Sequence, residues 1–341
     1  MRIPECSTCV PIAIDFRKFA NQTQSNIIKR HLSGCLQRSF EKRLANSGEV
    51  VRIATGHSNS QVLMEIINRI PRMVSTAREI RTNGQRIGLV PTRGALHEGH
   101  LSLMSRAREL CDAVIVSVFA DQGIEKEAAD LARDADLAFP RGVEFIFAPA
   151  PKDMFAEGHA AFVIVEELSE KLEGASLPYH FRQAGTLVNK LLNIVHPHFI
   201  FLGRKDAQQA IIVKRMVREL TIDVEVVVCP TVREEDGLAL SSMNVKLSTE
   251  GRKAATVLRR ALERCQSLYN GGERDAGRLI ASVRSMIEAE PLARIDYIGV
   301  TDIDRLDPIE TVPAASPTLV SLAVYIGATR LTDNIVLNGE L

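Results

Sequence analysis

The chain has 341 residues, 45% hydrophobic and 25% charged, which excludes a fibrous or wholly disordered protein and leaves room for two domains. Its 42 basic and 42 acidic residues cancel, so no global field draws nucleic acid or an anionic membrane, and ligand contacts must be local. Six scattered cysteines point to free thiols in a reducing compartment, and no apolar run approaches the roughly 20 residues of a membrane span, so a cytoplasmic location is expected.

Residues 1–63 hold nine Lys or Arg against four Asp or Glu and read as a basic extension, either an appendage or an organellar presequence. Cys6 and Cys9 form one C-x-x-C there, with no second pair to complete a zinc site. From Met64 the pattern turns regular. "MEIINRIPRMVSTAREIRTNG" reads as a helix stopped by Gly84, and "QRIGLV" as a short strand. After the turn "PTRGALHEGH", "HLSLMSRARELC" spaces Leu103, Ala107 and Leu110 on one helical face, and "DAVIVSVF" is a buried strand. "VEFIFAP" (143–149) is another strand and "AGTLVNKLLNIV" (184–195) a helix. The strand–turn–helix–strand unit then recurs in "FIFLG" (199–203), "RKD", "AQQAIIVKRMVREL" and "VEVVVCP" (224–230). This alternation predicts a parallel sheet covered on both faces, with ligands at the carboxyl ends of its strands, where "PTRGALHEGH" and "GRKDAQQ" begin.

Beyond Asn244 the periodicity changes. Ser248 is placed to cap one long helix, "EGRKAATVLRRALERCQSLYN", ended by Gly271 and Gly272, and "DAGRLIASVRSMIEAE" is a second. "RIDYIGVTD", "TLVSLAVYIG" and "TRLTDNIVL" read as a small antiparallel sheet. The expected division is a basic extension (1–63), a catalytic domain (64–243) and a small lid domain (244–341).

A helix N-terminus aims free N–H groups and partial positive charge at whatever precedes it, so the glycine-bearing turn before "HLSLM" suits a phosphate, with His97 and His100 facing it together. The H-E-x-x-H spacing of zinc proteases is absent, and no metal-ligating residues are assigned. Lys205 adds a cation at another strand end, and Ser241 and Ser242 follow the polar loop "TVREEDGLAL". Donors from three strand ends facing one crevice suit phosphoryl chemistry.

"PTRGALHEGH", "LEGASLPYHFR", "GRKDAQQ", "PTVREEDGLALSSMN" and the closing "ATRLTDN" resemble, in order, the signature stretches of the pantothenate synthetase (pantoate-beta-alanine ligase) family. The resemblance implies an α/β fold: a Rossmann-like parallel sheet domain of the HxGH nucleotidyltransferase type with a small α+β C-terminal domain. It implies a ligase that activates a carboxylic acid with ATP and Mg2+ as an acyl adenylate, releases pyrophosphate, and lets an amine displace AMP, usually as a homodimer. On matching positions it implies His97, His100 and Lys205 as catalytic residues and Gly99, Gly203, Asp206, Val232, Ser241 and Ser242 as ATP-binding. Arg93, Gln122 and Gln209 would contact the acid.

Several positions depart from the family pattern. Arg93 stands where an apolar side chain lines the acid pocket, and would be costly to bury unpaired. Asp121 and Gln122 only approximate the family's Asn and Gln in a shortened segment. Tyr179 and Gln183 replace glycines, and Met243 replaces an arginine that contacts ATP phosphates. Arg133 and Arg141 are candidates to hold a carboxylate of the amine substrate, the alternative being a solvated helix face. Three readings stay open at this level: a pantoate-beta-alanine ligase, a paralogue using another acid or amine, and a non-catalytic nucleotide-binding relative.

Overall fold

A seven-stranded sheet organises the first two thirds of the chain in this computed structural model, which describes residues 51–55, 62–119 and 131–341. Its strands are β1 (Val51–Thr55), β2 (Val62–Ile67), β3 (Ile87–Thr92), β4 (Ala113–Val118), β5 (Phe145–Phe147), β6 (Phe199–Gly203) and β7 (Glu225–Cys229). The order across the sheet is β1-β2-β5-β4-β3-β6-β7. All neighbours pair parallel except β1, which lies antiparallel on β2 at one edge. The larger connecting helices are α1 (Ile70–Thr82), α2 (Glu98–Leu110) and α3 (Leu131–Ala138). Two single turns follow, α4 (Pro151–Met154) and α5 (Glu173–Ser176), and then α6 (His180–Val195) and α7 (Ala207–Glu219).

β4 shows why the sheet is covered on both faces. Val114 and Val116 point into one apolar cluster with Leu101 and Met104 of α2, while Ala113 and Ile115 point into another with Leu191 of α6 and Val213 of α7. That is the period-two alternation of a strand buried on both sides. Burying a side chain such as Ile115 completely contributes roughly 2 kcal/mol.

The residues that open the predicted first helix form a strand instead. Met64, Ile66 and Ile67 are buried on alternating faces of β2, and the buried Glu65 carboxylate accepts from Arg72 Nε (3.2 Å) and Nη2 (3.1 Å). The helix starts only at Ile70, with Pro71 in its first turn, where a missing N–H is harmless. Of the basic extension, only β1 and the start of β2 fall among the described residues, and Cys6 and Cys9 lie outside them. Cys111, Cys229 and Cys265 are free and buried, as expected.

The last third builds a three-stranded antiparallel sheet, order β10-β9-β8, from β8 (Ala293–Asp302), β9 (Thr318–Ile326) and β10 (Thr329–Leu337). Its apolar cluster packs Leu258, Leu262, Leu279 and Val283 against Val320, Leu322 and Val324, and begins at Leu238. The single long helix predicted after Ser248 is two: α8 (Thr249–Ala255) and α9 (Val257–Asn270) meet at Thr256, whose hydroxyl donates back to the Lys253 carbonyl (2.8 Å). Such local side-chain bonding competes with helix continuation. Ser248 does cap α8, accepting from Gly251 N (3.0 Å), and α10 (Ala276–Glu288) follows as predicted.

Candidate active site

Strand order alone marks a crevice. From β3 the chain builds outwards through β4 and β5, then returns to place β6 on the other side of β3, so the direction of winding reverses between β3 and β6. β3 stays paired with β4 to its last residue, Thr92, but its pairing with β6 ends at Leu89↔Ile200. The carboxyl ends of β3 and β6 therefore diverge, and the two motif-bearing turns flank the gap.

The turn after β3 is built by protein contacts alone. Thr92 Oγ1 donates to the Ser117 carbonyl (2.8 Å) and accepts from Gly94 N (3.2 Å). Gly94 (φ 84°) and Ala95 (φ 51°) both take left-handed conformations that reverse the chain. Leu96 N then donates to the buried Asp134 carboxylate on α3 (2.8 Å).

His97 is the N-cap of α2. Its Nδ1 accepts from Gly99 N (3.2 Å), while its own backbone N–H reaches Nδ1 of His100 (3.4 Å), and the two rings lie 4.1 Å apart. Gly99 lets the His97 ring lie where it does: a Cβ at that position would meet His97 Cε1 at 2.9 Å and Nδ1 at 3.0 Å, so the ring would have to shift. With both Nδ1 atoms accepting, a neutral imidazole carries its proton on Nε2, so each ring keeps one N–H to offer a ligand. Both rings are neutral. Burial, then the Lys205 charge, lowers the His97 pKa, and burial, then the neighbouring His97, pushes His100 down to about 3.

Across the gap, β6 runs into a 3-10 turn, Arg204–Asp206, that starts α7. Lys205 Nζ donates to Asp206 Oδ1 (3.1 Å) and Thr332 Oγ1 (3.2 Å). Burial lowers the Lys205 pKa, but the Asp206 carboxylate, with Glu173 and Asp333 behind it, outweighs burial and the ammonium ends above its ordinary value. Burial would likewise raise Asp206, and Lys205 reverses that. Because the Asp206 side chain is 56% exposed, solvent screens this attraction considerably. Lys205 is thus the permanent charge of the site, and the histidines are its neutral donors. A Cβ on Gly203 would meet nothing within 4 Å, so packing does not demand glycine there; the open space suits a ligand lying against the backbone.

The third group is the loop after β7. The Val232 carbonyl accepts from Leu240 N (3.0 Å), and Ser241 Oγ accepts from Met243 N (3.2 Å), capping the 3-10 turn Ser242–Lys246. Ser242 is exposed. Met243 packs against the C-terminal apolar cluster, a structural use that reading it only as a lost cation overlooked. Gln209 sits half-buried on the first turn of α7, while its neighbour Gln208 is a buried brace, donating to the Leu168 (2.8 Å) and Lys171 (2.7 Å) carbonyls.

Arg93 is exposed, so the burial cost feared for it does not arise, and its charge depresses the pKa values of His100 and Asp206. Arg141 Nη2 donates to Glu98 Oε2 (3.3 Å) at the surface. Arg133 is half exposed on α3, 3.6 Å from Asp134. Asp121 and Gln122 lie outside the described residues. Sequence reading missed His180, whose pKa is lowered by burial against the pull of Glu173, and the group around Arg330, which donates to Asp296 (2.9 Å) and Glu173 (3.3 Å).

Two surface cavities lie elsewhere. One of about 420 Å³ is lined by Val163, Leu168, Met216 and Leu220 at the far end of α7, roughly 20 Å of helix from Lys205. The other, about 280 Å³, lies between Phe162, Tyr179, Arg182 and Gln183. Neither includes the histidines.

Comparison with known proteins agrees with this geometry. A family model described as Pantoate-beta-alanine ligase matches residues 65–336. The chain is 47% identical over 285 residues to the pantothenate synthetase of Pelotomaculum thermopropionicum, covering 82% of this chain and 100% of that one. It is 48% identical over 280 residues to that of Heliobacterium modesticaldum, covering 80% and 99%. Among solved structures, the Thermus thermophilus pantothenate synthetase superposes with a TM-score of 0.72 at 38% identity, covering 79% of this chain and 98% of that one. The pantoate-beta-alanine ligase of Francisella tularensis, complexed with beta-gamma ATP and beta-alanine, gives 0.64 at 31% identity, covering 80% and 97%.

Proposed function

The chain belongs to the pantoate-beta-alanine ligase family, and on that premise we propose that the crevice between β3 and β6 is where it joins pantoate to β-alanine at the expense of ATP. The pantoate carboxylate attacks the α-phosphorus of ATP, the bond from that phosphorus to the bridging oxygen breaks, and pyrophosphate leaves with the electron pair. The amine nitrogen then attacks the acyl carbon, AMP leaves, and the nitrogen sheds a proton. What supports this reading most is a single arrangement: two neutral imidazoles at a helix N-terminus, each with Nε2–H to give, opposite a lysine held charged.

His97 and His100 donate to the phosphate oxygens that gain charge in the transition state, and Lys205 neutralises them. Gly203 and Asp206 line the nucleotide, the Val232 backbone and the hydroxyls of Ser241 and Ser242 hold its oxygens, and Gln209 hydrogen-bonds the acid. Magnesium, when bound, offsets phosphate charge. Asp206, whose charge faces both histidines, is the carboxylate that would help hold it there. A second acid, carrying an extra anionic group, is favoured by one observation: the Arg93 guanidinium faces His100 and Asp206 without an ion pair or hydrogen bond to another described residue.

The deciding measurement is acid-dependent exchange of labelled pyrophosphate into ATP with magnesium. Pantoate is expected to support it. Exchange only with a more anionic acid selects the second reading, and no exchange across a broad acid panel, with ATP binding intact, overturns both. We further read the chain as a cytoplasmic homodimer with an extension, a catalytic domain and a lid divided near residues 63 and 243, β1 and the start of β2 being the part of the extension that joins the large sheet. The exposed apolar group Phe162, Leu177 and Tyr179 supports a self-contact, and light scattering tests it.

A further inference from the structure

Strand β10 belongs to the small sheet, yet three of its side chains reach the large one. Arg330, Thr332 and Asn334 alternate along one face of the strand, as period two requires. Arg330 Nη1 donates to Glu173 Oε1 on α5 (3.3 Å). Thr332 Oγ1 accepts from Lys205 Nζ (3.2 Å). The Asn334 amide, buried to 4% exposure, donates through Nδ2 to the backbone carbonyls of both Arg204 and Lys205 (2.9 Å each). These are two of the three carbonyls of the turn that carries Lys205, and one side chain holds both.

The strand is itself pinned at the same level. Asp333, 2% exposed, receives both terminal nitrogens of Arg233, at 2.7 and 2.9 Å, and Arg233 belongs to the loop that leads to Ser241 and Ser242. One Asp333 oxygen also accepts from Asn334 N (2.8 Å). So β10 touches two of the three loops that flank the crevice, and sets the lysine both by its backbone and by its ammonium.

We propose that Thr332 and Asn334 are positioning residues for Lys205, so that the small sheet is a working part of the phosphate site rather than a cover over it. The idea rests on Lys205 acting on the phosphates. Thr332 fixes where the ammonium points, and Asn334 fixes the turn on which it stands. Neither touches the reacting atoms.

The test has two arms. In the first, amide hydrogen exchange of residues 203–209 is followed in the full chain without ligand. Asn334→Ala is expected to raise exchange in that stretch while the rest of the large sheet keeps its protection. In the second, Thr332→Val is expected to lower kcat for pyrophosphate exchange about tenfold, the loss of one hydrogen bond to a charged group, with the KM for pantoate within about twofold and an unchanged melting temperature. Thr332→Ser, which restores a hydroxyl, is expected to recover most of the rate. Unchanged protection at 203–209 in Asn334→Ala overturns the proposal, and so does a Thr332→Val enzyme with full kcat. If Asn334→Ala does not fold, the Thr332 pair decides. If the wild-type chain shows no exchange activity, the functional reading fails while the hydrogen-exchange arm still judges the wiring.

Discussion

Protonation decides what His97 and His100 can do. Burial holds both below their ordinary range, His100 at about 3, so at neutral pH each donates a hydrogen bond without bringing charge. Linkage fixes the sign of a stability effect: the unfolded chain protonates this histidine near pH 6.5 and the folded one only near 3. The unfolded state therefore binds more protons between those values. Stability is full above about pH 6.5 and falls as pH drops towards 3. Urea unfolding of His100→Gln is expected to lose less stability than wild type between pH 7 and 4.5, and equal losses would contradict the assigned pKa. Gly99→Ala is expected to cut pyrophosphate exchange by an order of magnitude, because its Cβ would meet the His97 ring at 2.9 Å. Its melting temperature should hardly move, since alanine favours a helix by about 1 kcal/mol. Tyr179 occupies a left-handed conformation, φ 70°, which explains why the family pattern has glycine there. Tyr179→Gly is expected to stabilise by up to about 1 kcal/mol in urea titration, by relieving that strain. The histidines were legible because a residue type and its spacing survive in one dimension. The structural use of Met243 was not, since the cluster it joins is assembled from residues up to Leu337.

Elements carry the next layer of the argument. The helices α2, α6 and α7 could be read from their 3.6-residue apolar stripes, but α6 begins at His180, four residues ahead of the stripe expected from Ala184, because no capping side chain marks its start. β2 was misread because "MEII" is too short for its period to separate strand from helix, and pairing with β1 and β5 decides it. The break at Thr256 was equally hidden, since the sequence on both sides favours helix. The same limits explain why TRLTDN could be matched as a motif while its alternation could not be assigned a partner. Arg233 is the element-scale test: Arg233→Met would strand Asp333, 1% exposed at its side chain, without its cation. Breaking a buried pair from one side costs about 3–5 kcal/mol, so a clear fall in the urea midpoint is expected, with proteolysis appearing first in β10.

At the scale of the whole molecule, the order of the seven-stranded sheet explains why the site lies where it does. Winding that reverses beside β3 leaves one gap between diverging strand ends, and the motifs at "HEGH" and "GRKD" mark its two sides. Alternating strands and helices made the large sheet foreseeable, and the changed periodicity after Asn244 did the same for the small one. How the two sheets meet was not foreseeable, because the ties are polar contacts between residues a hundred or more positions apart.

That separation has a consequence for synthesis on the ribosome. The histidine turn is complete before a third of the chain has been made, and the lysine turn well before two thirds, yet the strand that steadies the lysine is last in order among the elements touching the crevice. A growing chain that has formed its large sheet still lacks the two Asn334 contacts to the lysine turn until β10 has been made. On the positioning proposal, the phosphate site reaches its final geometry only once β10 has docked.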